Sequence, residues 1–318
     1  MEERPLVSII VVTYNSSLWV RDTLDSVLAQ TYSNYELIIT DDCSTDNTLV
    51  VCHQWINQQK TGDRRIELVE AAKNTGVAGN CNRGLAVANG KWLKFIAGDD
   101  LLAPTAIADY IDYVTMHPDV QHLIAKSVHF TGVLQDSDLR NPIEVSPYLF
   151  RENDTVKFQY KVICRTFFGS GPTYFINATT LKSLGGFDER FPMQEDYPLF
   201  IKMIGNGYKM MFMDKVTVYY RVVANSIQHD INKDAIFTKN QVRIVSEYKY
   251  KYKEETVGLL WKLFLYYSIW LQCAIIKLGN TYHSPKCRFL LFIRKTTDPY
   301  LWFARYIEKQ KKRYLKNH

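Results

Sequence analysis

Acidic residues gather in this chain where apolar, β-prone runs stop. Asp41-Asp42 follow the run Tyr35–Thr40, Asp99-Asp100 follow Trp92–Ala97, and Glu195-Asp196 stand far downstream at the start of a helical stretch. The polar triplet Thr13-Tyr14-Asn15 closes the first such run, Val7–Val12. The carboxyl ends of strands in an open α/β sheet meet at one edge, and such folds bind ligands there. A site rich in Asp and poor in paired His or Cys suits a hard divalent cation and a phosphorylated substrate.

Each cluster has a chemical and a plain reading. Thr13–Ser16 could cap a helix, because Asn and Ser side chains accept from first-turn N–H groups. With Asp41-Asp42 beside it, the segment gains another use: an aspartate accepts from a pyrimidine N3–H while a tyrosine ring stacks on the base. Two adjacent carboxylates at a buried strand end repel each other, so Asp99-Asp100 need a cation or donors. Mg2+ or Mn2+ bridging a diphosphate meets that need and neutralises a leaving group; otherwise the pair is an exposed turn before a helix started by Pro104. Glu195-Asp196 favour a helix macrodipole, and an aspartate in a cleft also serves as general base for a hydroxyl.

The elements that must position these residues are legible. Val7–Val12 is continuously apolar, as a strand buried on both faces should be. Leu18, Val20, Leu24, Val27 and Leu28 recur at helical spacing, and Ser44-Thr45-Asp46 offer caps before Leu49, Val50, Trp55 and Ile56. Ile66–Val69 is a third strand, Gly79–Ala88 a helix, Trp92–Ala97 a fourth strand and Pro104–Met116 the next helix. This alternation predicts an α/β fold with a doubly wound, mainly parallel sheet. Gln121–Val128 adds a further strand, 130–156 reads as a loop-rich insertion, Leu199–Gly207 as a helix and Met210–Tyr220 as strands.

In order and at sensible spacing, these segments resemble glycosyltransferase family 2, the inverting enzymes with the Rossmann-like GT-A fold. The likeness runs through Val7–Asn15, Leu28-Ala29-Gln30-Thr31-Tyr32, Tyr35–Asp46, Asn74-Thr75-Gly76, Asn82–Ala86 and Ala88-Asn89-Gly90. It continues with Gly98-Asp99-Asp100, Gly185–Glu189 and Glu195-Asp196, and closes near Tyr220-Arg221, covering roughly residues 5–230. The resemblance implies that Thr13, Tyr14 and Asn15 line a nucleoside pocket and that Asp42 bonds the base. It further implies that Asn74, Gly76 and Asn82 shape the nucleotide-facing loop and helix. Asp99 would bind Mg2+ or Mn2+ with Asp100 assisting, and Asp196 would deprotonate an acceptor hydroxyl with Glu195 in support. Three departures stand out: Ala97 where the family often has the first Asp of Asp-x-Asp, Cys43 where many relatives have Gly, and Val223 where many carry His. The last leaves Arg221 as the expected partner of the diphosphate.

The resemblance implies a donor that is a nucleotide-diphosphate sugar, with UDP-sugar expected, and an acceptor that is a glycan or polyprenyl-linked glycan, in surface-polysaccharide assembly. A nucleotidyltransferase shares the sheet and the acidic site, but needs a Gly-rich basic phosphate loop after the first strand, which Thr13–Val20 lacks. A non-catalytic partner of a glycan assembly complex should lack one of the acidic clusters. The segment from about Phe130 to Gly171 is expected to shape acceptor choice.

Charge divides the chain. Of 39 Lys+Arg and 33 Asp+Glu, residues 241–318 hold 16 and 5, a net +11, leaving 23 and 28, a net −5, before them. The expected organisation is a catalytic domain over 1–235 and a basic, aromatic helical extension over 236–318. Leu259–Ile276, Tyr300–Tyr306 and Lys309–Lys316 mix aromatic, aliphatic and basic residues, which suits an anionic membrane surface; packing on the catalytic body is the other use of such helices. No segment resembles a nucleic-acid reading module, so no nucleic acid is expected. The six scattered cysteines lack a C-x-x-C pair and the first apolar run is too short for a signal, so a reduced, cytoplasmic protein on the inner membrane face is expected. Each Lys or Arg near an anionic surface contributes about 1 kcal/mol, screened by salt. Co-sedimentation should therefore show binding to anionic but little to neutral vesicles, weakened yet not lost at high salt. Equal binding to both vesicle types would refute the basic-surface reading.

Overall fold

The first strand, β1 (Val7–Thr13), is buried along nearly its whole length and lies between two other strands, which is why it needs no polar alternation. The computed structural model describes residues 4–59, 64–140, 142–143, 155–163 and 171–223, then 263, 266–267, 270–271, 273–275, 277–278, 285–297, 302, 306 and 309. Two compact units divide the chain. One comprises Met1–Val145, Gly169–Leu199 and Tyr208–Val223; the other comprises Ser146–Phe168, Phe200–Gly207 and Ala224–His318.

In the first unit the order after β1 is α1 (Val20–Leu28), β2 (Tyr35–Asp41), α2 (Thr48–Gln58), β3 (Ile66–Glu70), α3 (Gly76–Val87), β4 (Trp92–Ala97) and β5 (Leu101–Leu102). There follow α4 (Ala106–Met116), β6 (His122–Phe130), β7 (Pro142–Ile143), then in the second unit α5 (Val156–Ile163), and back in the first β8 (Phe175–Asn177) and α6 (Ala178–Ser183). The helix α7 (Asp196–Gly205) precedes the long strand β9 (Met210–Arg221), and α8 (Pro285–Thr297) belongs to the second unit. Among the described residues the sheet runs β3-β2-β1-β4-β8-β6-β9-β5, with β7 beside β6.

The strands β3, β2, β1 and β4 are parallel, as strand–helix alternation predicts, and the far half mixes directions. There β8 runs antiparallel to both β4 and β6, β9 parallel to β6, and β5 antiparallel to β9. The strand expected over Gln121–Val128 is β6, and the expected strands over Met210–Tyr220 are one continuous element. Its pairing with β6 shifts register near Ala125–Ser127. That bulge lets a strand too long to stay straight bend along the sheet.

Helical periodicity fixes which faces are covered. Val20, Thr23, Leu24 and Val27 of α1 are buried, as are Ala106, Ile107, Tyr110, Ile111 and Val114 of α4. A single apolar cluster takes in these faces with Ile9, Val11, Leu37, Ile39, Trp55, Leu123 and Phe175. Phe175 is sandwiched between Trp92 and Tyr110, with ring centroids 5.1 and 4.7 Å away. Residues of that size each gain roughly 1.5–3 kcal/mol from burial, so the core lies where the parallel half meets β8. Of Ser44, Thr45 and Asp46, expected to cap α2, Asp46 accepts the Thr48 N–H at 2.9 Å, while the N-cap position itself is Asn47.

The loop-rich insertion is described only in part; residues 141, 144–154 and 164–170 lie outside the described residues, as does most of the extension from Ala224 onward. Leu259–Ile276, Tyr300–Tyr306 and Lys309–Lys316 fall largely there. Among the described residues, no helix is long and apolar enough to cross a membrane.

Candidate functional site

The register of the parallel strands aligns Thr13 with Asp41 and Val12 with Ala97, so the expected clusters open onto one sheet edge. Thr13 lies beneath that edge: it is buried, and its Oγ1 donates to Asp41 Oδ1 at 2.9 Å. Asp41 also takes Ser44 N–H at 2.7 Å, so it organises the turn after β2. Tyr14 is the exposed member, 49% accessible, with its ring free to stack on a planar ligand. Asn15 does not cap α1. Its Oδ1 instead accepts Thr45 N–H at 2.8 Å, tying the loop after β1 to the loop after β2. Cys43 in that second loop has φ +63°, the left-handed region that glycine occupies without strain.

The amino end of α3 meets Asp42. The Asp42 carboxylate accepts the N–H groups of Thr75 (3.0 Å) and Gly76 (2.7 Å) and the Thr75 hydroxyl, and it is paired with Arg83. An aspartate at a helix start satisfies orphan N–H donors and the macrodipole together. Asn74 completes the turn by accepting Gly76 N–H at 3.1 Å. Gly76 is required here: its φ is +83°, and a side chain would run into Pro192. Four donors already occupy Asp42, and Arg83 is the charged one among them, on a partly exposed side chain.

One turn further along α3, Asn80 is fully enclosed. Its Nδ2 donates to the carbonyls of Thr13 (3.0 Å) and Thr40 (3.1 Å), and its Oδ1 accepts Thr40 Oγ1 at 2.6 Å and Arg83 Nη2 at 3.0 Å. Asn82, expected to face the nucleotide, points the other way. It brackets Phe187 by accepting its N–H at 2.8 Å and donating to its carbonyl at 3.0 Å. Its part is to hold the Gly185–Glu189 turn that leads toward Glu195.

Asp99 and Asp100 sit where β4 ends, and β5 then hydrogen-bonds to β9, bringing Tyr220 and Arg221 beside them. Asp100 is buried; Oδ1 accepts Arg221 N–H at 2.9 Å, and Oδ2 has no partner among the described residues. Burial raises both carboxyls above the ordinary aspartate range, and for Asp100 the charge of Asp99 adds to it. The diphosphate contact expected of Arg221 does not fit its place. The guanidinium is buried between the Trp19 and Phe130 rings and is spent on Asp99 O (2.8 Å), Gly132 O and Asp22 Oδ2 (3.0 Å). Arg221 is a strut that fixes the backbone of the acidic pair.

Glu195 and Asp196 open α7. Asp196 Oδ1 accepts Tyr197 N–H at 2.7 Å, and its Oδ2 lies against the Gly171 backbone. Part of each residue meets solvent, yet dense surroundings raise both carboxyls, and the charge of Asp196 pushes Glu195 up further. Burial pushes the Cys81 thiol up and Glu195 adds to it; Cys81 also bonds the Tyr174 hydroxyl. Burial likewise takes Tyr220 to about 12, with contributions from Asp100, Asp99 and Glu195. Tyr220 therefore feels Asp99, Asp100 and Glu195, and α3 carries Arg83 toward Asp42 and Cys81 toward Glu195.

The structure thus brings Asp42, Asn74 and Gly76 together, sets Asp99 with Asp100, and places Glu195-Asp196 within electrostatic reach through Tyr220. Thr13, Asn15, Asn82 and Arg221 support these groups from outside. Asn80, Cys81, Lys94 and Tyr174 escaped the sequence reading. Asn80 and Arg83 do follow Gly76 at helical spacing on one face, a usable signal. Among the described residues, no three His, Cys, Asp or Glu side chains converge to hold a metal unaided. Two carboxylates with an orphaned buried oxygen still fit Mg2+ or Mn2+, since such ions keep waters and take the rest of their shell from substrate phosphates.

Residues 8–171 match the Glycosyl transferase family 2 sequence family. The chain is 29% identical over 247 residues to the Escherichia coli UDP-Glc:alpha-D-GlcNAc-diphosphoundecaprenol beta-1,3-glucosyltransferase WfaP, covering 76% of this chain and 86% of that one. Its fold is similar to S. aureus TarS 1–349 in complex with UDP-GlcNAc (TM-score 0.55, 20% identity, 83% and 78% coverage). It is also similar to the mannosyltransferase PcManGT from Pyrobaculum calidifontis in complex with GDP-Man and Mn2+ (TM-score 0.57, 20% identity, 96% and 86% coverage). Both structures support the GT-A fold.

Asn80 supplies a test of how this edge is held. An Asn80→Ala substitution removes four hydrogen bonds, those to the Thr13 and Thr40 carbonyls and those from Thr40 Oγ1 and Arg83, while Asp42 N–H and Thr13 Oγ1 still serve the two carbonyls. Each lost bond costs about 0.5–1.5 kcal/mol. Urea unfolding should show a loss of about 2–4 kcal/mol on that scale. A loss within experimental error would mean that α3 is held by packing alone.

Proposed function

Since this chain belongs to glycosyl transferase family 2, we propose that it transfers a sugar from a UDP-sugar to a hydroxyl of a glycan or polyprenyl-linked glycan. The setting is surface-polysaccharide assembly at the cytoplasmic face of the membrane. The observation that carries this reading is that Asp42 and Asp99-Asp100 stand along one edge of the sheet, with Glu195 near enough to act on both Tyr220 and Cys81. The E. coli relative is named for a UDP-Glc donor and a diphosphoundecaprenol-linked acceptor, which supports both halves.

In this reading Tyr14 stacks on uracil, and the uracil N3–H takes the place of Arg83, the exchangeable donor on Asp42. Asp99 and Asp100 would hold Mg2+ or Mn2+, which would supply charge neutralisation to the departing diphosphate. Asp196 removes the proton from the acceptor hydroxyl. The acceptor oxygen then bonds the anomeric carbon as the bond from that carbon to the β-phosphate oxygen breaks, with inversion and release of UDP. Burial keeps Asp196 basic, and Glu195 stands beside it in support. Arg221 keeps Asp99 and Asp100 in place from behind.

Membrane attachment belongs to the extension. In its described part, α8 exposes Phe289 and Phe292, each 62% accessible, on a helix with Lys286, Arg288, Arg294 and Lys295 and no acidic residue. Aromatic and basic groups on one surface helix suit an anionic bilayer.

Calorimetry should find UDP bound at least about tenfold more tightly than GDP, a difference of about 1.4 kcal/mol. The Mn2+-dependent part of UDP affinity should vanish in Asp99→Asn. Tighter GDP binding would overturn the base assignment, and metal-independent UDP binding the cation site. Asp196→Asn should keep UDP affinity while turnover falls about 10²–10⁴-fold. A general base works only when ionised. Because Asp196 is raised, wild-type kcat/KM should be lost as pH falls through a value above the ordinary aspartate range of about 4. An acid limb at or below that range would point to another base.

A further inference from the structure

Lys94 is fully buried in β4, where a lysine is rarely found, and the reaction scheme above leaves it without a part. Its ammonium donates to the carbonyl of Phe95 at 2.9 Å and to the carbonyl of Pro172. Burial pushes its pKa down to about 7, against the pull of Asp100. Pro172 lies in the helical turn Gly171–Thr173, and the rest of that turn is held as tightly. The Tyr110 hydroxyl donates to Thr173 O and pairs with Thr217 Oγ1 at 2.7 Å, while Thr173 Oγ1 accepts Ala125 N–H at 3.3 Å. Donors from β4, α4 and β6 thus converge on Pro172 and the buried Thr173.

The upper surface of the turn explains the effort. A Cβ at Gly171 would stand 2.7 Å from Asp196 Oδ2, 3.4 Å from its Cγ and 3.6 Å from its Cβ. The Oδ2 edge of the carboxylate faces the glycine. Gly171 does not have the left-handed backbone that forces glycine, so the close approach of Asp196 is the reason for a residue without a side chain.

We propose that the Gly171–Thr173 turn is the seat of the Asp196 carboxylate, with Gly171 setting its position and Lys94 fixing the turn to the strand that ends in Asp99-Asp100. Both are positioning residues, and the inference rests on Asp196 being the base. Through them the base and the carboxylates of the leaving-group side share one frame. A displacement of about 1 Å at a reacting group costs on the order of 10²-fold in rate.

Gly171→Ala is a mild test, because its new methyl meets the far end of a side chain and not backbone. UDP release should be followed with the UDP-sugar that the wild-type chain turns over, alongside UDP calorimetry and thermal unfolding. In Gly171→Ala, kcat should fall about 10–100-fold while donor KM and UDP affinity stay within about twofold. Lys94→Met, which keeps the volume and removes the donor, should lower kcat in the same way with donor KM unchanged. Wild-type kcat in Gly171→Ala, beside an inactive Asp196→Asn, would overturn the seat. Wild-type kcat in Lys94→Met alone would remove the part given to Lys94. An Asp196→Asn protein turning over at the wild-type rate is a separate result: the base assignment falls, and this inference with it.

Discussion

The edge of a parallel sheet crowds carbonyls and carboxylates together, and this chain depends on the donors that α3 brings to them. Asn80 alone bonds the backbones of Thr13 and Thr40, the neighbouring ends of β1 and β2. The first N–H groups of the same helix satisfy Asp42. Because these groups are buried, each lost bond would leave a dipole less fully paired in low dielectric, where it is costly. Tyr14 and the Asp42–Arg83 pair can therefore present a defined surface to a ligand, since the backbone beneath them has no freedom to relax.

The acidic groups are compensated in different ways, and the differences sort their uses. Asp41 and Asp42 are surrounded by donors and are structural in the resting state. Among the described residues Asp100 has one oxygen served and one left bare. Glu195 and Asp196 have few donors among the described residues, and they carry raised affinities for protons. Carboxylates that folding leaves unsatisfied store an affinity that only a cation or a proton can release. That gradient along one sheet edge, from saturated to bare, separates holding a nucleoside from doing chemistry.

Much of this was legible beforehand because it is local. The buried run of β1, the alternation up to α4 and the acidic strand ends follow from periodicity and from side-chain chemistry. What escaped detection depends on contacts between distant segments. Arg221 looked available for a phosphate because its sequence neighbours are ordinary, whereas Trp19, Phe130 and Asp22 close around it from elsewhere. Asn82 has a suitable side chain for a ligand, and only the arrival of Phe187 decides its direction. Strand β8 hid inside an apolar stretch, for three residues between two partners give no period to read.

The stitch between Asp100 and Arg221 spans 121 residues. A ribosome adding about 5–20 residues per second needs roughly 6–24 s to cover that distance. During that interval the nascent parallel half can already collapse, while the loop of Asp99-Asp100 has neither its strut nor its partner strand. The most highly charged corner of the site is thus the last to be built, and a chain interrupted before β9 emerges as a folded-looking sheet that cannot organise its acidic loop.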